Sequence, residues 1–230
     1  MNGFRPGHEP TIKPMTRNKP RILLGWLGGQ EQEGWSTPLQ VMNFIRAARD
    51  PRYEVFFGPQ LNVYPIEAGR NQMMAAAAQI GAEWLISFDN DQFLYDNANI
   101  LDVIADATPE QAVIGMRIGI RGEGNKLRLF PDTPELSRCG RFSQVERVGG
   151  GILLVHCSVW QRIQPPWFRW MHGNNPLLTP DAATMGEDVY FCKLCREHGF
   201  KIWVPRDMAA GHHKNRDLTA DFMMQQMASK

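Results

Sequence analysis

Apolar residues along this chain gather in short, nearly continuous runs, separated by longer stretches with helical spacing. Arg21 to Leu27 is such a run, ending in Gly28-Gly29; it predicts a buried strand followed by a loop. Thr37-Pro38 opens a helix to about Arg49, with Thr as cap and Pro at the first helical position. Tyr53 to Phe57 is a second strand, bounded by Asp50-Pro51 and Gly58-Pro59. Glu67 to Ile80 is rich in Ala, Met and Gln and stops at Gly81, a strong helix pattern. Trp84 to Phe88 is a third strand, Ala98 to Ala107 a helix and Ala112 to Met116 a fourth strand. This strand–helix alternation predicts an α/β fold with a mostly parallel sheet flanked by helices. In such sheets ligands bind beyond the carboxyl ends of the strands.

The second half is less regular. Arg117 to Arg147 holds seven basic and four acidic residues and few apolar ones. Val148 to Val155 begins with three glycines and becomes a strand, and Ser158 to Ile163 a short helix. Gln164 to Met185, rich in Pro, Asn and Trp, reads as a long loop, a length often functional in compact domains. Glu187 to His198 is helical, Lys201 to Val204 a last strand, and Leu218 to Met227 a Met-rich terminal helix.

Composition narrows the class. With 230 residues, 43% hydrophobic and 21% charged, the chain suits one sizeable α/β core. A net charge of +1 gives no general field for a polyanion, although a local basic stripe is compatible with it. Four cysteines (Cys139, Cys157, Cys192, Cys195) form no disulfide framework, and one CxxC inside a helix is a poor zinc site. A cytoplasmic location is the expectation from reduced thiols. No apolar run has the length of a membrane span, and residues 1–20, with four prolines, read as a flexible arm.

Five groups of residues carry candidate chemistry. Asp89-Asn90-Asp91 follows the third strand; two carboxylates one residue apart can present hard oxygens to Mn²⁺ or Mg²⁺. With twelve aspartates in the chain, such a pair also arises by chance as a turn-forming loop. Gly186-Glu187-Asp188 begins a helix, where carboxylates act as dipole-favoured caps or, aimed at a hydroxyl, as general base. Gly211-His212-His213 follows the last strand; either imidazole is a candidate metal ligand, although adjacent side chains commonly diverge. Arg70-Asn71 sits in the Glu67 helix, where Arg can grip a phosphate or join an ion pair. Trp167, Trp170 and His172, in the long loop, offer faces that stack on a sugar or base, or pack on the core as a lid.

The order of these groups resembles that of GT-A glycosyltransferases, in particular those similar to glycosyltransferase family 2. Pro65 to Asn71 resembles the family's "ARN" helix, and Ala82 to Asp91 its strand and DxD motif. Val148 to Val155 with Val159-Trp160 resembles its glycine-rich acceptor-side strand. Gly186 to Phe191, ending near His198 to Ile202, resembles its "ED" helix, and Gly211-His212 falls where these enzymes carry a metal-binding His. The resemblance covers about residues 21–213 and departs at Gly28 to Gly34, a Gln/Glu/Gly loop without the early nucleotide-contacting acid.

The resemblance implies a single GT-A catalytic domain over residues 21–215, with a donor half near 21–116 and an acceptor half near 117–215. A C-terminal helix over 216–230 follows. It implies transfer of a sugar from a nucleotide-sugar, by default a UDP-sugar, to an acceptor hydroxyl. Asp91, His212 and Asp89 would hold Mn²⁺ or Mg²⁺, with His213 as the fallback ligand. Asp89, Asp91, Arg70 and Asn71 would face the donor. Asp188, with Glu187 beside it, would be the base of an inverting displacement. Gly150, Gly151, Trp167 and Trp170 would line the acceptor side. The acceptor is read as a saccharide, with a hydroxylated base in DNA as the minority alternative suggested by the basic stretch. A nucleotidyltransferase and a nucleotide-sugar-binding module without turnover are the competing classes.

Overall fold

The computed structural model describes residues 19–28, 36–61, 63, 65–95, 98–121, 127–131, 133–171, 185–213 and 217–228. The expected N-terminal arm up to residue 18, the loop over 29–35, Lys126 and His172 lie outside the described residues.

The predicted alternation is observed in the first half: β1 (Arg21–Leu27), α1 (Ser36–Ala48), β2 (Glu54–Leu61), α2 (Ile66–Gln79) and β3 (Trp84–Asp89). A short β4 (Gln92–Leu94), α3 (Ile100–Ala105) and β5 (Val113–Gly115) follow. The region read as irregular holds β6 (Arg117–Arg121), β7 (Leu127–Phe130), β8 (Ser137–Cys139) and β9 (Phe142–Val145). Then come β10 (Ile152–His156), α4 (Cys157–Arg162), α5 (Glu187–Glu197), β11 (Ile202–Pro205), β12 (Ala209–His212) and α6 (Leu218–Ala228).

Eight strands form one sheet in the order β2-β1-β3-β10-β5-β11-β9-β8, and β4-β12-β6-β7 form a second, smaller one. Parallel pairing holds for β2–β1, β1–β3 and β5–β11. β10 runs antiparallel between β3 and β5, so the sheet is mixed. The reversal follows from connectivity, because the chain crosses the smaller sheet and the β8–β9 hairpin before it re-enters at the centre. The halves expected from the sequence are therefore joined within one sheet.

Strand residues alternate between two cores. Leu23, Leu85, Leu153 and Val155 pack with Met73, Met74 and Ala77 of α2, Val159 and Trp160 of α4, and Phe191 of α5. Ile22, Leu24, Ile86 and Leu154 pack on the other face with Ala47 of α1 and Ile100, Leu101 and Ile104 of α3. With both faces covered, β3 is apolar almost throughout, as a central strand should be. Among the described residues, no helix is long and apolar enough to cross a membrane.

α6 closes the smaller sheet. Asp217 caps its first turn, accepting from the N–H groups of Thr219 (3.0 Å) and Ala220 (3.2 Å). Thr219 Oγ1 donates to the Ala210 carbonyl at 2.8 Å and accepts from Gly119 N–H at 2.7 Å, joining the helix to β12 and β6. Gly119 leaves no room for a side chain, because any Cβ would overlap the Leu218 backbone.

Candidate active site

The carboxyl end of β3 turns sharply through Asn90-Asp91 into β4, and two side chains of α1 hold that turn. Gln40 donates from Nε2 to the carbonyls of Asp89 (2.6 Å) and Gln92 (2.5 Å). Asn43, one turn on, donates to the Leu94 carbonyl at 3.3 Å and accepts from its N–H at 2.8 Å. Both residues are buried on the core side of α1. They are polar because the backbone they meet needs partners there.

Arg70 is the centre of the site. It lies in the second turn of α2 and is only 4% exposed. Its guanidinium donates to Asp89 Oδ2 at 3.0 Å, to the Gly150 carbonyl at 2.8 Å and to Glu187 Oε1 at 3.3 Å. Burial opposes its charge, but the carboxylates of Asp89 and Glu187 outweigh that and hold its pKa above the usual value. Burial pushes the carboxyls of Asp89 and Glu187 up, against the pull of Arg70. Arg70 is thus an internal counter-ion rather than a grip on donor phosphate. Glu187, buried and paired to it, holds the guanidinium in place.

Asn71, expected at the donor, has another role. Its amide donates to the carbonyls of Glu67 and Phe168, both at 2.8 Å, and accepts from the N–H groups of Trp167 (2.8 Å) and Phe168 (3.1 Å). All its hydrogen-bonding capacity goes into fastening segment 167–168 to α2. Trp167, expected at the acceptor, is packed in the core, with its indole N–H donating to Ile163 O at 2.8 Å. It offers no face to a ligand. Trp170 is 40% exposed and remains beside the site.

Asp188 stands next to this cluster at the start of α5. Its Oδ2 accepts from Gly150 N–H at 3.3 Å and its Oδ1 from Val189 N–H at 2.7 Å. The glycine run threads between the functional groups. A Cβ on Gly150 would come within 2.6 Å of the Arg70 guanidinium, and one on Gly151 would overlap the Gln92 amide. Gly150 and Gly151 are glycines because Arg70 and Gln92 lie against their Cα atoms, which is internal packing rather than acceptor contact.

β12 brings His212 to Asp91. His212 pairs with Gln92 across the antiparallel β12–β4 ladder, and the next residue's N–H donates to Asp91 O at 2.8 Å. His212 Nδ1 lies 2.7 Å from Gly119 O. A carbonyl only accepts, so Nδ1 carries the proton, and in a neutral ring Nε2 keeps a lone pair. That Nε2 faces Asp91 Oδ2 at 3.5 Å. Two lone pairs facing each other need a cation between them, either a proton on the ring or a metal ion. His213 contributes its backbone N–H here, while His212 contributes its ring, as alternation along a strand requires.

The donor set fits a hard divalent cation that shares its coordination with a diphosphate. Asp91 and His212 supply two protein donors. Asp89 Oδ1 is a buried oxygen with no hydrogen-bond partner. Among the described residues no group of three or more His, Cys, Asp or Glu is placed to hold a metal ion by itself. An open set is usual where substrate oxygens and water complete the shell. Three carboxylates (Asp89, Glu187, Asp188) act on the one Arg70 guanidinium and a fourth, Asp91, acts on Asp89, an excess of negative charge that favours a cation if all are ionised.

Sequence reasoning missed Gln40, Gln92, Gly119 and Asp217. Only Gln40 and Asn43 left a trace, as polar residues three apart on one helix face.

No family model matches the sequence, and no curated protein matches it. Solved structures resemble it at low identity. A197 from STIV shares 15% identity at a TM-score of 0.50, over 84% of this chain and 85% of that one. A glycosyltransferase involved in glycosylation of the major capsid of PBCV-1 shares 15% identity at 0.39, over 89% of this chain and 99% of that one. GalNAc-T7, solved with UDP, GalNAc and Mn²⁺, shares 13% identity at 0.47, over 83% of this chain and 43% of that one. At these identities the likeness is one of fold, an α/β mixed sheet flanked by helices.

Proposed function

We propose that this chain is a metal-dependent glycosyltransferase, similar to family 2 enzymes, that moves a sugar from a nucleotide-sugar to an acceptor hydroxyl. One observation carries the reading: His212 Nε2 faces Asp91 Oδ2 at 3.5 Å at the carboxyl end of a central strand, with Asp188 in the adjoining cluster. The four sequence blocks that suggested a GT-A enzyme thus meet at one place. A UDP-sugar is the default donor.

Asp91 and His212 would hold Mn²⁺ or Mg²⁺, with Asp89 Oδ1 next to them. Bound there, the cation would supply Lewis-acid neutralisation of the departing diphosphate. Asp188 is assigned as the base. Its carboxylate takes the proton from the acceptor hydroxyl as that oxygen attacks the anomeric carbon; the glycosidic bond forms and the nucleoside diphosphate leaves with the bonding electron pair. Attack from the face opposite the leaving group gives inversion. The two N–H groups on Asp188 fix its orientation and leave each oxygen a second lone pair for the incoming proton. Arg70 and Glu187 are positioning residues: they fix Asp89 on one side and the start of α5 on the other.

The test is thermal denaturation with a panel of nucleoside diphosphates, with Mn²⁺ or with EDTA, followed by product analysis. A ligand at a hundred times its dissociation constant stabilises by about 2.7 kcal/mol. A metal-dependent shift with one diphosphate, and that diphosphate released from the matching nucleotide-sugar, supports the reading. Release of pyrophosphate would make the chain a nucleotidyltransferase. Binding without turnover across a broad acceptor screen would make it a binding module.

A further inference from the structure

Residues 147–151 pass the functional groups in order. Gly151 lies on Gln92 of the acidic turn, Gly150 on Arg70, and Gly149 between Asp188 and Phe130: a Cβ there would be 3.8 Å from Asp188 Oδ2 and 3.6 Å from Phe130 Cε1. Arg147 continues the series, with its guanidinium 6.0 Å from the Phe130 ring centroid. Along this segment, Asp188 comes between the acidic turn at one end and Arg147 at the other. A donor diphosphate at the metal-ligand pair would lie at the first end of this series, and Arg147 stands at the second.

Arg147 differs from the ion-paired arginines of this chain. Arg21, Arg52, Arg70, Arg141 and Arg196 all pair with carboxylates. Arg147 has no ion pair among the described residues, and its Nε is buried with no hydrogen-bond partner. The Phe130 face orients the guanidinium without using its N–H donors. A planar cation stacked on a ring, with a donor edge unsatisfied, is suited to an oxyanion. On the other flank of Asp188, the exposed Trp170 ring lies across Gly186 from the carboxylate.

We propose that the acceptor carries an oxyanion, a phosphate or a carboxylate, close to the hydroxyl that is glycosylated, and that Arg147 is the specificity residue that binds it. The inference rests on the glycosyltransferase reading for the word acceptor, but the anion site itself does not. The full-length chain, saturated with UDP and Mn²⁺, is titrated with glucose 6-phosphate, glucuronate and glucose, and binding is read by calorimetry. The expected result is that at least one charged sugar binds ten times more tightly than glucose. Arg147→Ala should remove that preference and Arg147→Lys should retain part of it, while UDP and Mn²⁺ bind all three proteins alike. Preference for the phosphate or the uronate names the anion. Equal binding of the three sugars, no binding of either charged sugar, or a preference that survives Arg147→Ala would overturn the proposal. So would loss of UDP binding in Arg147→Ala, which would move Arg147 to the donor. A wild type that binds the charged sugar through Arg147 yet binds no nucleoside diphosphate would keep the anion site and sink the glycosyltransferase reading.

Discussion

Replacing Arg70 with methionine tests the electrostatic design of the site. Methionine roughly preserves the apolar volume of the arginine stem, so the change is mainly one of charge. Arg70 faces Asp89 Oδ2 at 3.0 Å and Glu187 Oε1 at 3.3 Å. At an effective dielectric constant near 20, each pair has a gross attraction of about 5 kcal/mol, most of which offsets the desolvation of two buried groups and the half-buried Asp89. Truncating one partner leaves the others buried and uncompensated, at a cost of about 3–5 kcal/mol. For a chain of this size that lowers Tm by roughly 6–20 °C. The pH dependence gives the sharper signature. Asp89 and Glu187 already have folded-state pKa values above their ordinary ones, raised by burial, and loss of Arg70 raises them further. A carboxyl whose pKa is raised on folding binds more protons in the native state than in the unfolded chain. Stability therefore falls as pH rises from the ordinary carboxylate value through the raised one. The deficit of Arg70→Met should be fully present at neutral pH and shrink as pH falls towards the ordinary carboxylate range. Urea denaturation of both proteins from pH 7.5 to pH 5 measures it. A deficit below about 1 kcal/mol at neutral pH, or one that grows on acidification, would refute the reasoning.

Three further outcomes are expected. Asp188→Asn should lower kcat by about 10²–10⁴ while leaving the Mn²⁺-dependent thermal shift with a nucleoside diphosphate in place, since it removes the base and not the donor site. Normal turnover in that variant would remove Asp188 from the reaction. His212→Ala should lose most of that shift, because it removes one of the two protein donors to the cation; an undiminished shift would place the cation elsewhere. Asn71→Ala should destabilise by about 2–4 kcal/mol, since it strands N–H and C=O groups of segment 167–168. Limited proteolysis should then cut near residues 164–171 before any other described loop.

The fold was legible where a single element carries the signal. β1, α2 and β3 fall within a residue or two of their predicted limits, because a buried central strand is continuously apolar and an Ala-rich helix ending in glycine needs little tertiary context. The strands β6 to β9 were not legible: they are short, and several face solvent or the edge of a sheet, so no apolar alternation marks them. α1 inverts its pattern. Gln40 and Asn43 are buried while Val41, Met42 and Ile45 are exposed, so amphipathicity alone would turn the helix the wrong way. The acidic turn needs hydrogen-bond donors more than it needs apolar surface, a requirement visible only once β4 lies beneath the helix. In the site, Asp89, Asp91, Asp188 and His212 were legible as residue types at motif spacing. What each side chain turns towards was not, since Asn71 and Trp167 were spent on holding a loop to α2.

The glycine run shows why a motif can be recognised for one reason and built for another. Three successive glycines before a strand suggested a surface open to an acceptor. Their Cα atoms instead lie against the Asp188 and Phe130 side chains, the Arg70 guanidinium and the Gln92 amide, at distances that admit no Cβ at Gly150 or Gly151. The backbone has to pass there because β10 enters antiparallel beside β3, so that Asp89 N–H reaches Gly151 O at 2.6 Å. That approach lets Gly150 offer its carbonyl to Arg70 and its N–H to Asp188, joining the counter-ion and the base through one peptide unit on each side. A segment built this way has no side chain of its own to offer a ligand. On the reading proposed above, acceptor selectivity would fall to the side chains at its ends, Arg147 and Phe130 at one and Trp170 at the other.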